Sequence, residues 1–228
     1  MSTAREPVLR ASHLGISFGG LKAVDDFNLE IGESELIGLI GPNGAGKTTV
    51  FNLLTGVYRP TEGAFYVCGE NMAGKKPHQV VASGVARTFQ NIRLFKKLTV
   101  LENVKVAMNR TMKYSVAQAL LRGGRYWAEE NETDARARAL LRMVHLEEKA
   151  AYVAENLPYG QQRRLEIARA LATGMKVLLL DEPAAGMNPT ETAELLDIIN
   201  DIRSQFHISV LLIEHDMSLV MKICERIQ

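Results

Sequence analysis

Cysteine is scarce in this sequence. Its 228 residues include only Cys68 and Cys224, which lie far apart and lack the close spacing of a metal site or a disulfide framework. We therefore expect two ordinary thiols in a reducing cytosol.

Long apolar runs and a targeting signal are also missing. The strongly apolar run Val177–Leu180 has four residues, whereas a membrane-spanning helix needs about 20. The opening residues, Met1–Glu6, lack the apolar stretch of a signal peptide. These absences predict a cytosolic protein, although it can still dock on a membrane partner.

An excess of either charge is absent as well. The chain carries 27 Lys and Arg residues against 26 Asp and Glu, a net charge of +1, which argues against a nucleic-acid-binding surface. The apolar fraction of 46% is sufficient for a core. The length suits one large domain, or a domain with a sizeable insertion.

A glycine-rich stretch lies between the apolar run Leu36–Ile40 and the helix-like segment Thr49–Leu54. Its residues are Gly41, Pro42, Asn43, Gly44, Ala45, Gly46, Lys47, Thr48 and Thr49. Between a strand and a helix, such a loop wraps an anion with its backbone N–H groups, and the helix directs its positive end there. Lys47 would reach the outer phosphates and the Thr48 hydroxyl would bind Mg²⁺. The loop predicts a nucleoside triphosphate site.

Two acids follow the apolar run Val177–Leu180. Buried acids beside a phosphate site require a cation, so Asp181 is predicted to hold Mg²⁺, directly or through water. Glu182 comes one residue later and points differently, which places it to take a proton from an attacking water. A strand-end ion pair is the alternative interpretation.

Gln90 and His215 each follow a predicted strand, Val85–Phe89 and Ile208–Ile213. The neutral amide of Gln90 can sense Mg²⁺ and an attacking water. His215 can donate a hydrogen bond to a γ-phosphate. Taken alone, either residue is more typical of an ordinary strand end.

Two further features have two interpretations each. Phe18, beside Gly19 and Gly20, is either a ring on which adenine stacks or a core phenylalanine near a turn. The turn Leu157–Gln161 precedes an amphipathic segment with Leu165, Ala168 and Leu171 on one stripe. This turn is either an anion site at a helix start or a simple cap.

The central part of the chain is predicted to be helical. The apolar faces that indicate helices are Val100, Val104 and Ala107; Val116, Ala119 and Leu120; and Ala135, Ala139, Leu140 and Met143. The loop at residues 91–97 is basic and carries Leu94 and Phe95, which favours a partner-binding surface over a solvated loop.

The order of these motifs resembles that of the ATP-binding cassette family over essentially the whole chain. The order is phosphate loop, glutamine loop, helical insert, signature turn, acidic strand and switch histidine. Four segments resemble more narrowly the first of the two ATPase subunits of branched-chain amino acid importers: 87–95, 163–169, 181–189 and 212–217.

The resemblance implies an α/β fold, a P-loop NTPase core with an antiparallel β subdomain and an inserted helical subdomain. The chain would form a single nucleotide-binding domain over residues 1–228, with residues 1–90 and 157–228 as the core and residues 91–156 as the helical subdomain. Relatives continue beyond Gln228, so we expect a truncated chain, less stable than a full-length relative.

The resemblance also implies a mechanism. Two ATPase subunits, copies or similar chains, close head to tail around two ATP molecules. Closing of the pair would drive the membrane permease subunits, and hydrolysis with Glu182 as the base would reopen the pair. A periplasmic or extracellular binding protein would be an indirect partner. The protein would be cytoplasmic and peripheral on the inner face of the cell membrane, and it would have no nucleic-acid partner.

Residue roles follow from the same resemblance. Phe18 would stack on adenine, the phosphate loop would bind the phosphates, and His215 would join Glu182 in catalysis. The signature turn would contribute Tyr159, Gly160 and Gln161 to a nucleotide. The implied Mg²⁺ ligands are Thr48, Gln90 and Asp181.

Three positions depart from the family pattern. Pro158 replaces the usual serine of the signature turn, so no hydroxyl binds the γ-phosphate there. Tyr159 replaces a glycine, which leaves more of the binding to the N–H groups of Gly160 and Gln161. Asn188 replaces an aspartate, a change that bears on signalling between subunits.

Two other classes of protein share the phosphate loop. A cassette ATPase that remodels ribosomes or DNA usually has a basic face, together with two cassettes or long coiled-coil insertions. This sequence has one cassette, a short insert and a near-neutral charge. A phosphate-transfer enzyme would need an acceptor pocket and a lid, and would leave the turn at Leu157 and His215 unexplained.

Overall fold

The computed structural model describes residues 6–108 and 124–228. Packing contacts divide the chain into two units. The first comprises Met1–Gln90, Met175–Gly186 and Ile199–Gln228, and the second comprises Asn91–Gly174 and Met187–Ile198. The domain limits drawn from the sequence stay a prediction; by contacts, residues 157–174 and 187–198 belong with the helical unit.

Every strand of the described residues belongs to the first unit. Within the described residues they are β1 Leu9–Phe18, β2 Leu21–Ile31, β3 Leu36–Leu39, β4 Glu62–Val67, β5 Glu70–Asn71, β6 Val85–Arg87, β7 Val177–Asp181, β8 Ser209–Ile213 and β9 Arg226–Ile227. They form an antiparallel sheet in the order β2-β1-β4-β5 and a parallel sheet in the order β6-β7-β8-β3-β9.

The α-helices of the described residues are α1 Lys47–Leu54, α2 Pro77–Ser83, α3 Val100–Met108, α4 Gly124–Met143, α5 Tyr159–Leu171, α6 Pro189–Phe206 and α7 Met217–Ile223. Short 3₁₀ helices occupy Glu147–Lys149 and Ala154–Asn156. No helix among the described residues is both long enough and apolar enough to cross a membrane.

The parallel sheet is buried because its central strands are apolar on both faces. Every residue of β3, β7 and β8 is buried, which is typical of a parallel sheet covered by helices. Leu39 and Asp181 both pair with Ile213. The carboxyl ends of these strands therefore lie at one edge of the sheet, where ligands bind in open α/β folds.

The described part of the second unit is helical. Its core includes Val100 and Val104 of α3 and the predicted stripe of α5, Leu165, Ala168 and Leu171. The helix predicted around residues 116–120 lies outside the described residues.

The apolar face predicted for α4 is only partly right. Ala135 and Ala139 are exposed, whereas Thr133 and Ala137 are buried. Thr133 is buried without penalty because its hydroxyl donates to the carbonyl of Glu129, 2.8 Å away.

Candidate active site

The phosphate loop connects β3 to α1, as predicted. Gly46 is the N-cap of α1 with φ 88°, in the left-handed region. A Cβ atom at Gly46 would lie 2.6 Å from the carbonyl oxygen of Ala23. Glycine is required there both for its backbone conformation and for its lack of a side chain.

Lys47 is the first residue of α1 and is only 9% exposed. Its Nζ donates to the carbonyl oxygens of Gly41 and Pro42, 2.6 and 2.9 Å away. An ammonium group has three N–H donors, so the third can donate a hydrogen bond to a phosphate oxygen. The loop is thus closed around its own cation.

A cleft of about 200 Å³ opens at this loop. Its lining residues are Asn43, Gly44, Ala45, Gly46, Lys47, Thr48, Thr49, Glu182 and His215. The fold therefore brings the predicted phosphate loop together with the predicted base and the predicted switch histidine.

Glu182 has a backbone φ of 47°, unusual for a residue with a side chain. With this backbone conformation the chain leaves the extended path of β7, which ends at Asp181. The carboxylate of Glu182 accepts hydrogen bonds from Nε2 of Gln90 at 2.9 Å and from Nε2 of His215 at 2.7 Å. Each bond uses a different oxygen, so lone pairs remain for a water molecule.

Asp181 lies at the end of β7 and is buried. Its Oδ2 accepts a hydrogen bond from Nη2 of Arg87 at 2.6 Å, and both side chains are only 6% exposed. The cation that the sequence argument required beside Asp181 is thus supplied here by Arg87. Sequence reasoning gave Arg87 no role, although a charged residue in a short, otherwise apolar strand is a usable signal.

Glu214 is a second buried polar residue that had no role in the interpretation of the sequence. It is 7% exposed, and its carboxylate accepts from the backbone N–H groups of Ala184 and His215 at 3.0 and 3.3 Å. Burial raises the pKa of Glu214; the two N–H donors oppose the shift, and the charge of Glu182 adds to it. Glu214 links the chain segments that follow β7 and β8.

The residues present fit a Mg²⁺ ion held mainly by a nucleotide. Among residues 6–108 and 124–228, no group of three or more His, Cys, Asp or Glu side chains is arranged to hold a metal. Mg²⁺ commonly uses one or two carboxylates together with substrate phosphates. The Asp181 carboxylate, the Thr48 hydroxyl and the Gln90 amide are donors of that kind.

Phe18 is 47% exposed, at the end of β1. Its ring meets that of Tyr58 edge to face, with 5.3 Å between the centroids. The core interpretation does not fit this exposure. Stacking on adenine stays a prediction.

The predicted signature turn lies in the second unit. Its helix, α5, begins at Tyr159 rather than Gln162, and its N-cap residue, Pro158, makes no side-chain capping bond. The N–H of Gln162 donates to Pro158 O at 3.0 Å, so the amides of Tyr159, Gly160 and Gln161 precede the helical hydrogen-bond ladder. This geometry is compatible with an anion site, which stays a prediction.

Side-chain contacts fix this helix start. The Tyr159 hydroxyl accepts from Arg163 at 3.2 Å, and Gln161 accepts from Lys149 at 2.7 Å. A Cβ atom at Gly160 would lie 3.0 Å from Glu191 Oε1. A side chain at Gly160 would therefore displace Glu191.

Comparisons with known proteins place this geometry in a family. The ABC transporter family profile matches residues 24–185. The high-affinity branched-chain amino acid transport ATP-binding protein BraF of Pseudomonas aeruginosa is 48% identical over 221 residues, which cover 97% of this chain and 87% of that protein.

Solved structures agree. The ADP conformation of MJ1267, an ATP-binding cassette of an ABC transporter, matches with a TM-score of 0.82 and 29% identity over 96% of this chain and 85% of that one. The MJ0796 cassette, a dimer in a post-hydrolysis state bound to ADP and phosphate, matches with a TM-score of 0.78 and 25% identity over 96% and 92%. The family resemblance and the fold class inferred from the sequence are confirmed. The chain belongs to the ABC transporter family, as one of its ATP-binding ATPases.

Proposed function

We propose that this chain is the ATP-hydrolysing subunit of an importer for branched-chain or other hydrophobic amino acids. The observation that carries the proposal is the cleft in which the phosphate loop meets Glu182 and His215. The name of the Pseudomonas relative supports the substrate class.

The phosphates of ATP would lie against the backbone N–H groups within the loop Gly41–Thr49, and the third N–H of the Lys47 ammonium group would donate a hydrogen bond to an outer phosphate. Adenine would stack on Phe18. Thr48, Gln90 and Asp181 would hold Mg²⁺ with the phosphate oxygens. When bound, Mg²⁺ neutralises the charge that develops on the phosphates.

Glu182 would take the proton of the attacking water. Its carboxylate already accepts one bond on each oxygen, from Gln90 and from His215. These two donors fix the carboxylate in place, and the remaining lone pairs accept the water. Such positioning supplies much of the catalysis in phosphoryl transfer.

A second ATPase subunit would complete the site with its own signature turn, through the amides of Tyr159, Gly160 and Gln161. The dimeric state of the MJ0796 cassette supports the pairing of two ATPase subunits. The pair would drive membrane permease subunits from the cytoplasmic face of the cell membrane. An external binding protein would deliver the amino acid.

Reconstitution tests this proposal. The chain is assembled with permease subunits, a second ATPase subunit and a binding protein in proteoliposomes, and ATP hydrolysis and leucine uptake are measured. We expect both to depend on the permease. Lys47→Ala should abolish both, whereas Lys22→Ala, a change at an exposed lysine paired with Asp25, should leave both intact.

Two outcomes would contradict the proposal. One is ATP hydrolysis by Lys47→Ala at the parent rate. The other is hydrolysis that responds to nucleic acid or to a phosphate acceptor but not to the permease.

A further inference from the structure

Arg87 connects the three elements that carry the proposed Mg²⁺ ligands and the phosphate loop. It is the last residue of β6, and Gln90 follows three residues later. Its guanidinium reaches Asp181 at the end of β7 and Asn52 on α1, the helix that begins at Lys47.

The guanidinium is held from several directions. Nη1 donates to Asn52 Oδ1 at 2.7 Å, and Nη2 donates to Asp181 Oδ2 at 2.6 Å. The rings of Phe51 and Phe89 lie 5.3 and 5.0 Å from Cζ, within the range of cation–π contacts. Arg87 therefore has little freedom to leave Asp181.

The contact uses only one oxygen of Asp181. Within the described part of the chain, Arg87 is the one hydrogen-bond partner of the Asp181 side chain, through Oδ2. Oδ1 is left for a metal ion or a metal-bound water.

We propose that Arg87 is the positioning residue for Asp181, whose carboxylate it holds in a fixed orientation for Mg²⁺. Partners of this kind are an essential part of metal sites, and their loss typically costs about 10–100-fold in metal affinity or activity. This inference rests on the proposed nucleotide and Mg²⁺ site.

The test compares Arg87→Gln, Arg87→Lys and the parent protein. The Mg²⁺ concentration for half-maximal ATP hydrolysis is measured, together with Mn²⁺ binding in the presence of a non-hydrolysable ATP analogue by electron paramagnetic resonance. We expect Arg87→Gln to require roughly 10–100-fold more divalent cation, and Arg87→Lys, which keeps the charge, to recover part of this loss. In EDTA, which removes divalent cations, the variants and the parent protein should bind the ATP analogue with equal affinity.

Arg10→Gln is the matched control. Arg10 also lies over an aromatic ring, that of Tyr66 at 4.6 Å, but it is exposed. Its loss should leave the divalent-cation dependence unchanged.

Asn52→Ala covers the case in which Arg87→Gln does not fold. It removes one anchor of the guanidinium and keeps the ion pair, so the cation requirement should rise by a smaller factor. The inference is overturned if folded Arg87→Gln shows the same divalent-cation dependence as the parent protein, even when its melting temperature is lower. If Arg87→Gln does not fold, the same result for Asn52→Ala overturns the inference. If the nucleotide affinity of the parent protein does not depend on divalent cations, the proposed function is contradicted instead.

Discussion

Nε2 of His215 lies 2.7 Å from Oε1 of Glu182, although the two residues are 33 positions apart in the sequence. The parallel pairing of β7 with β8, in which Asp181 lies beside Ile213, brings them together. Because a carboxylate can only accept, Nε2 of His215 carries the proton in this bond. The histidine therefore orients the base before any substrate is bound.

Glu182→Gln should abolish turnover and preserve ATP binding. Glutamine keeps the size of the side chain but cannot take a proton from water, and general bases typically contribute about 10²–10⁴-fold. The measurements are phosphate release and equilibrium nucleotide affinity, and the ATP-bound dimer should accumulate. Glu70→Gln, at an exposed carboxylate, is the control. Hydrolysis retained in Glu182→Gln would remove Glu182 from its role.

His215→Asn should lower kcat by about 10²-fold, the usual cost of removing one donor to developing charge, with little change in ATP affinity. The loss has two sources, the contact to the γ-phosphate and the orientation of Glu182. His13→Asn is a matched control because His13 makes the same kind of bond to Asp26, at 2.6 Å, away from the cleft. Equal effects of the two substitutions on kcat would contradict the assignment.

Gly46→Ala should be more damaging than Gly44→Ala. Both residues have left-handed backbones, with φ of 88° and 83°, so each alanine costs about 1–2 kcal/mol of strain. Only at Gly46 does the new Cβ also meet backbone, the carbonyl of Ala23 at 2.6 Å; at Gly44 nothing lies within 4 Å. Thermal unfolding and ATP affinity measure the difference, and equal losses would show that the contact with Ala23 is relieved at no cost.

Much of the fold follows from patterns in the sequence. Glycine is common just after the last residue of a helix, and Gly84 is the C-cap of the helix Pro77–Ser83, with φ 108°. The strand predicted at Val85–Phe89 ends at Arg87 instead, although the N–H of Thr88 still donates to Leu179 O. Such boundaries depend on the sheet partner, which a local pattern does not contain.

The site is predicted less completely than the fold. Motif spacing identifies Lys47, Asp181 and Glu182, because each follows a strand in a recognisable context. The contacts of Arg87 and Glu214 do not follow from the sequence, since both residues act through partners that only the sheet order brings near. Long-range pairs of this kind have no local periodicity to reveal them.

The pKa shift of Glu214 predicts how stability depends on pH. Burial raises the pKa of this carboxyl above its ordinary value of 4.5. Below pH 4.5 the folded and unfolded chains both hold the proton. As pH rises, the unfolded chain releases it first, so wild-type stability falls until pH passes the raised pKa. Relative to wild type, Glu214→Gln should therefore gain stability as the pH rises above 4.5, and the gain should level off once the pH passes the raised pKa. Thermal unfolding as a function of pH measures this gain.

Asp216→Asn is the opposite control for this prediction. The Ser218 hydroxyl and backbone N–H donate to Asp216, the N-cap of α7, and lower its pKa from 3.8. Its ionised form stabilises the fold above that pH, and this contribution disappears as pH falls through the lowered pKa. Asparagine is also a good N-cap, so the stability difference between Asp216→Asn and wild type should shrink in acid. The stability difference between Glu214→Gln and wild type should instead grow as the pH rises above 4.5. Parallel trends for the two variants would mean that the buried carboxyl does not control the pH dependence.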